Sequence, residues 1–139
     1  FYKPIEVRIE FSILKNGVKL RPHTDVPAKV FGLIIYFPES NSKLINKMGS
    51  TLFWKKKKNK EDMINWEGAH IEGELLKKFK DNYEIYFESK FDHNKMIGFA
   101  KNDRSWHSVD KLSIPYKESR KSVNIFFRFK GLGLKKYLF

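Results

Sequence analysis

At 139 residues the chain is long enough for one domain and one core, and 41% hydrophobic content with 16% aromatics excludes wholesale disorder. The absence of cysteine excludes disulfides, zinc–thiolate sites and iron–sulfur clusters, so a metal would have to be held by His, Asp or Glu. A net charge of +12 raises polyanion binding, but much of the excess lies in Lys55-Lys56-Lys57-Lys58-Asn59-Lys60, a run without interleaved aromatics that reads as a solvated loop.

Val7 to Leu14 alternates apolar and polar residues, the period of a strand with one buried face. Asn16-Gly17 is a turn signal. Val18 to Asp25 predicts a short strand end, because Pro22 and Pro27 exclude a regular central strand. Val30 to Phe37, closed by Pro38, reads as a fully buried strand, and Glu39 to Lys47 as a polar loop. Gly49 to Trp54 predicts another short strand and Glu74 to Lys80 a short helix. Tyr83 to Ser89 and Lys95 to Ala100 read as a strand pair around Asp92-His93-Asn94. Ser105 to Val109 is short and extended, Asp110 to Ser119 is a loop, and Arg120 to Lys130 alternates again. About eight short strands with little helix predict a mainly β barrel or sandwich, one domain over residues 1–139.

No segment is long and apolar enough to span a bilayer, and no signal peptide is visible. The lack of cysteine fits a reducing, cytoplasmic location. The chain opens at Phe1 rather than Met and runs straight into a strand-like segment, so a missing N-terminal region is expected.

His23-Thr24-Asp25 puts an imidazole and a carboxylate at i and i+2, on one face of extended backbone. His107 is the candidate third ligand. Two His and one carboxylate on one face of an octahedral Fe(II) leave the opposite positions open for a co-substrate and O2. In the last strand, alternation places Arg120, Ser122 and Asn124 on one face and Val123, Ile125 and Phe127 on the other. A guanidinium fork beside a hydroxyl suits one carboxylate of a dicarboxylic acid. Alone, a His-x-Asp pair is common by chance and an Arg on such a strand is more often a surface residue. His70 and His93 fall in polar stretches and read as surface residues.

Together, in this order and spacing, the motifs resemble the iron(II)- and 2-oxoglutarate-dependent oxygenase superfamily. The resemblance runs from about Arg8 to Phe129. It is carried by His23-Thr24-Asp25 as the family's His-x-Asp, His107 as the distal histidine, and Arg120-Lys121-Ser122 as its Arg-x-Ser, thirteen positions after His107. Pro22 to Pro27, followed by Val30 to Phe37, looks like the prolyl-hydroxylase-like branch. Gly49-Ser50-Thr51-Leu52-Phe53 is similar to that branch's Gly-Gly-x-Thr-x-Phe segment, with Met48 in place of the first Gly.

The resemblance implies a double-stranded β-helix, the jelly-roll or cupin-like barrel, with N-terminal helices missing from this chain. It implies iron on His23, Asp25 and His107, and 2-oxoglutarate on Arg120 and Ser122 with Thr51 lining its pocket. Tyr36 is a further candidate there, its face on the strand being open. The implied activity is a dioxygenase that hydroxylates a small-molecule or peptide substrate, releasing succinate and CO2, with O2 as oxidant and ascorbate as a candidate reductant. Asp25 favours hydroxylation, since the related halogenases carry a small residue at that position. A metal-binding cupin-like β-barrel of another reaction class would account for the ligands but not for Arg120 and Ser122. A basic nucleic-acid-binding module would account for the charge and leave the three motifs as coincidence. No membrane partner is expected.

Overall fold

The computed structural model describes residues 4–39, 49–65 and 68–130. Beyond Glu39, the loop expected up to Lys47 lies outside the described residues, as does Met48. The elements follow the order β1 (Ile5–Leu14), β2 (Leu20–His23), β3 (Lys29–Tyr36), β4 (Thr51–Lys56), α1 (Gly73–Asn82), β5 (Tyr83–Ser89), β6 (Met96–Ala100), β7 (His107–Val109) and β8 (Arg120–Phe129). Strands dominate because the apolar positions are rich in Val, Ile and Phe, which pack well on a pleated surface. None of the described helices is long and apolar enough to cross a membrane.

The strands form two four-stranded sheets, ordered β1-β8-β3-β6 and β2-β7-β4-β5, with every pairing antiparallel. Apart from β4 and β5, strands successive along the chain lie in opposite sheets. This is the order of a jelly roll, which meets the expected mainly β architecture. The sheets face each other without joining into a closed barrel, so the arrangement is an open sandwich.

Two local expectations are corrected. β5 and β6 are not a hairpin: β5 pairs with β4, β6 pairs with β3, and the turn at Asp92-His93-Asn94 crosses between the sheets. Phe91, fully buried and edge-on to Tyr36 at 5.5 Å, anchors the crossing in the core. The second correction concerns β3, which is not fully buried: its inward residues Gly32, Ile34 and Tyr36 are buried and the alternate residues are half-buried. The apolar side chains of β1 point away from the sandwich and are exposed, up to 82% for Phe11.

The register explains that outer surface. Val7, Phe127, Phe31 and Ala100 align across the sheet, as do Ile9, Ile125, Leu33 and Gly98, and then Phe11, Val123, Ile35 and Met96. Three apolar rows therefore cross all four strands. A patch of this kind favours association. We expect the chain as given to bind an apolar dye and to self-associate in sedimentation runs. Charged replacements at Ile9 and Phe11 should reduce both, and a monomer with no dye binding would count against this reading of the face.

The inner space holds Ile34, Tyr36, Phe91, Val109, Leu112 and Ile114. A second cluster packs Phe79 of α1 against Tyr83, Trp106 and Trp54. Lys57 reaches the carbonyls of Lys80 and Asp81 at the end of α1, where unpaired acceptors and the helix dipole favour a cation. Lys55 pairs with Glu84. The lysine run thus serves the fold at two of its positions, which weakens its reading as a polyanion surface.

Candidate functional site

Pro22 lies within β2, where the pairing with β7 is irregular between Leu20 and His23, and Thr24, just past the strand, is buried with its hydroxyl donating to the Asn65 carbonyl at 2.7 Å. That anchor turns the side chains on either side of Thr24, His23 and Asp25, to one face. β7 lies beside β2 with His23 opposite His107 in register. One donor atom each from His23, Asp25 and His107 then lie within 4.8 Å of one another. His107 is wedged against Phe99, ring centroids 4.8 Å apart.

Both imidazoles are oriented from behind. Nδ1 of His23 lies 2.8 Å from the Arg21 carbonyl, and Nδ1 of His107 lies 2.9 Å from the Ser105 carbonyl. A carbonyl only accepts, so each Nδ1 carries the proton and each Nε2 presents its lone pair. Burial, with His107 beside it, lowers His23 to about 3, and burial also lowers His107. Both rings are therefore neutral at neutral pH, the form that can ligate a cation. The donor set, imidazole, imidazole and carboxylate with free lone pairs turned together, fits Fe(II).

A cavity of about 110 Å³ runs between the sheets from this cluster to Arg120. Its lining includes Thr51, Ser108, Asn124 and Phe126. Arg120 and Ser122 face inward from β8 and are each 3% exposed. Arg120 donates to the Gly49 carbonyl, to Thr51 Oγ1 at 3.2 Å and to Ser122 Oγ at 3.4 Å. Tyr36 faces inward too, its hydroxyl donating to Thr51 Oγ1 at 2.7 Å, and Arg120 lies over its ring. Burial lowers the Arg120 pKa, yet arginine's ordinary value is high enough that it stays a cation. Among the described residues it meets neutral oxygens and no carboxylate. A buried, uncompensated guanidinium is costly unless an anion joins it. The site therefore fits a carboxylate at this end of the cavity.

Other residues stand close around these. Gly49 has φ of +81°, and a Cβ there would lie 3.1 Å from the Arg120 side chain, so the turn brings its carbonyl to the guanidinium. His70, read as a surface residue, is exposed but stacks on His23 at 4.0 Å. Lys29 pairs with Asp25 at 2.7 Å. His93 is exposed, as expected.

No protein-family model matches the sequence, and no curated protein matches it. Among solved structures, the chain is similar to a prolyl-4-hydroxylase from Pseudomonas putida, with a TM-score of 0.50 and 14% identity. The match covers 93% of this chain and 55% of that one, so the chain spans about half the length of that enzyme. Identity this low speaks for the fold alone. The chain shares the fold of a prolyl hydroxylase and carries, between its sheets, a His-His-Asp cluster compatible with a metal.

Proposed function

We propose that the chain is the catalytic core of a non-haem Fe(II), 2-oxoglutarate-dependent dioxygenase that hydroxylates a small-molecule or peptide substrate. The observation that carries this reading is one cavity with two unlike ends: a His-His-Asp cluster at one and, at the other, a buried arginine that meets no carboxylate among the described residues. A metal cluster alone would suit many reactions. The arginine adds a demand for a ligand with an anionic group remote from the metal, and a dicarboxylic keto acid meets both.

In this reading His23, Asp25 and His107 hold the iron, their Nδ1–H bonds to backbone keeping the rings aimed. Arg120, Ser122 and Thr51 grip the distal carboxylate, with Tyr36 fixing Thr51 from behind. Iron and keto acid, when bound, supply the oxidising chemistry: 2-oxoglutarate, O2 and a substrate C–H become succinate, CO2 and a substrate C–OH. Phe99, Ile34, Val109 and Phe126 line the cavity and exclude water from it. The test is incubation of the chain with Fe(II), 2-oxoglutarate and O2, scored for succinate, against a panel of amino acids, peptides and small molecules. We expect slow succinate release without substrate and faster release with a true one. No consumption of the keto acid, together with no keto acid binding to metal-loaded protein, would refute the reading.

A further inference from the structure

Lys29 opens β3 and lines the cavity. Its backbone N–H donates to the Val26 carbonyl at 3.0 Å, closing a turn that folds the residue back over Asp25. Its ammonium lies 2.7 Å from Asp25 Oδ1, with side-chain exposures of only 18% and 9% for the pair. It also rests 3.3 Å from the centre of the Phe126 ring, which favours a cation at that spot. We propose that Lys29 is a resident counter-cation of Asp25 that opposes a divalent metal, so that this lysine limits how tightly the cluster holds a metal ion. The inference rests on reading His23, Asp25 and His107 as a metal site.

The charges decide the sign. A lysine ammonium is a compact point charge, and in a half-buried site it is poorly screened. Beside Asp25 it partly neutralises the one anionic donor of the cluster and repels an incoming dication. A dianionic co-substrate would offset that repulsion. Metal alone therefore binds weakly, and metal with a dicarboxylate binds better than the separate affinities predict. Removing the ammonium has opposite effects on the two states. The metal-free protein is left with a buried carboxylate lacking its partner, which destabilises it. The metal-bound protein loses a repulsion. A lysine that merely oriented Asp25 would give the reverse on binding, since losing such an outer partner typically weakens metal affinity by about 10–100-fold.

The experiment is an Mn(II) titration without keto acid, followed by the electron paramagnetic resonance signal of free Mn(II), with melting curves of the metal-free proteins alongside. Lys29→Met keeps the stem on Phe126 and removes the charge. It should bind Mn(II) at least about tenfold tighter than the parent while melting lower in the metal-free state. Lys29→Arg, which keeps the charge, should bind like the parent. Tighter binding in Lys29→Met by a parent that scarcely binds also supports the proposal. Equal or weaker binding than a parent that does bind overturns it and leaves the metal site standing. Failure of both proteins to bind Mn(II) overturns the metal site and the role of Lys29 together.

Discussion

Replacing Arg120 with Ala should weaken 2-oxoglutarate binding to the metal-loaded protein by at least about a hundredfold while Mn(II) binding survives. The guanidinium is buried, in reach of Thr51 and Ser122, and meets no carboxylate among the described residues. Removing one partner of a buried charged pair leaves the other unpaired, at a cost of roughly 3–5 kcal/mol. Each ~1.4 kcal/mol is a factor of ten, which sets the hundredfold as the lower end. Arg120→Lys should recover little, because a single ammonium cannot reproduce a two-pronged contact held by a fixed fork. Metal binding is expected to survive because the cluster stands on the β2 end and β7, not on β8. Fold damage is separable from ligand loss. Arg120→Met fills the space without the uncompensated charge, so its metal-free form should melt no lower than the parent, with the same loss of keto acid affinity. Calorimetric titrations with Mn(II), then with 2-oxoglutarate, make the measurement. Unchanged keto acid affinity in both variants would mean that the guanidinium serves the fold alone.

Much of this site was readable in advance because it depends on two short-range rules. Alternation on β8 puts Arg120 and Ser122 on the face opposite Val123, and the inward direction follows once their burial is known. The i, i+2 rule brings His23 and Asp25 together whatever sheet they join. What was not readable depends on partners distant in sequence. Val30 to Phe37 has no polar alternation, so nothing in it assigns Tyr36 to the inner face until β8 is laid beside β3 with Ser122 opposite Tyr36. β1 shows the same limit in another form: alternation states that its two faces differ, not which one is covered, and here the apolar one is exposed. The false hairpin of β5 and β6 arose because a turn between strands reads alike whether it reverses within a sheet or crosses between two. His70 reads as a surface residue and Lys29 draws no reading at all, since a charged or polar residue beside a loop carries no mark of the group it will meet.

His107→Ala should abolish Mn(II) binding, with or without keto acid, and keto acid binding with it, which makes it the counterpart of the Arg120 variant. In the proposed site the ring would supply one of three donors, its Nε2 aimed by the bond from Nδ1 to the Ser105 carbonyl. Losing an outer partner of a ligand typically costs about 10–100-fold in metal affinity, so losing a donor itself should exceed that. The keto acid is expected to fail as well, because with the metal gone only the Arg120 end of the cavity would hold it. The pattern is thus asymmetric: Arg120→Ala loses one ligand and His107→Ala loses both. Folding has to be controlled, since His107 is buried against Phe99 and Phe53 and its removal leaves a void. His107→Gln keeps more of the volume, and Asp25→Asn keeps the shape of the carboxylate while removing its charge. All three should lose Mn(II), and a variant that melts cooperatively while doing so separates metal loss from unfolding. Parent-like Mn(II) affinity in a folded His107→Ala protein would remove His107 from the site and leave His23 and Asp25 without the third donor that the reading requires.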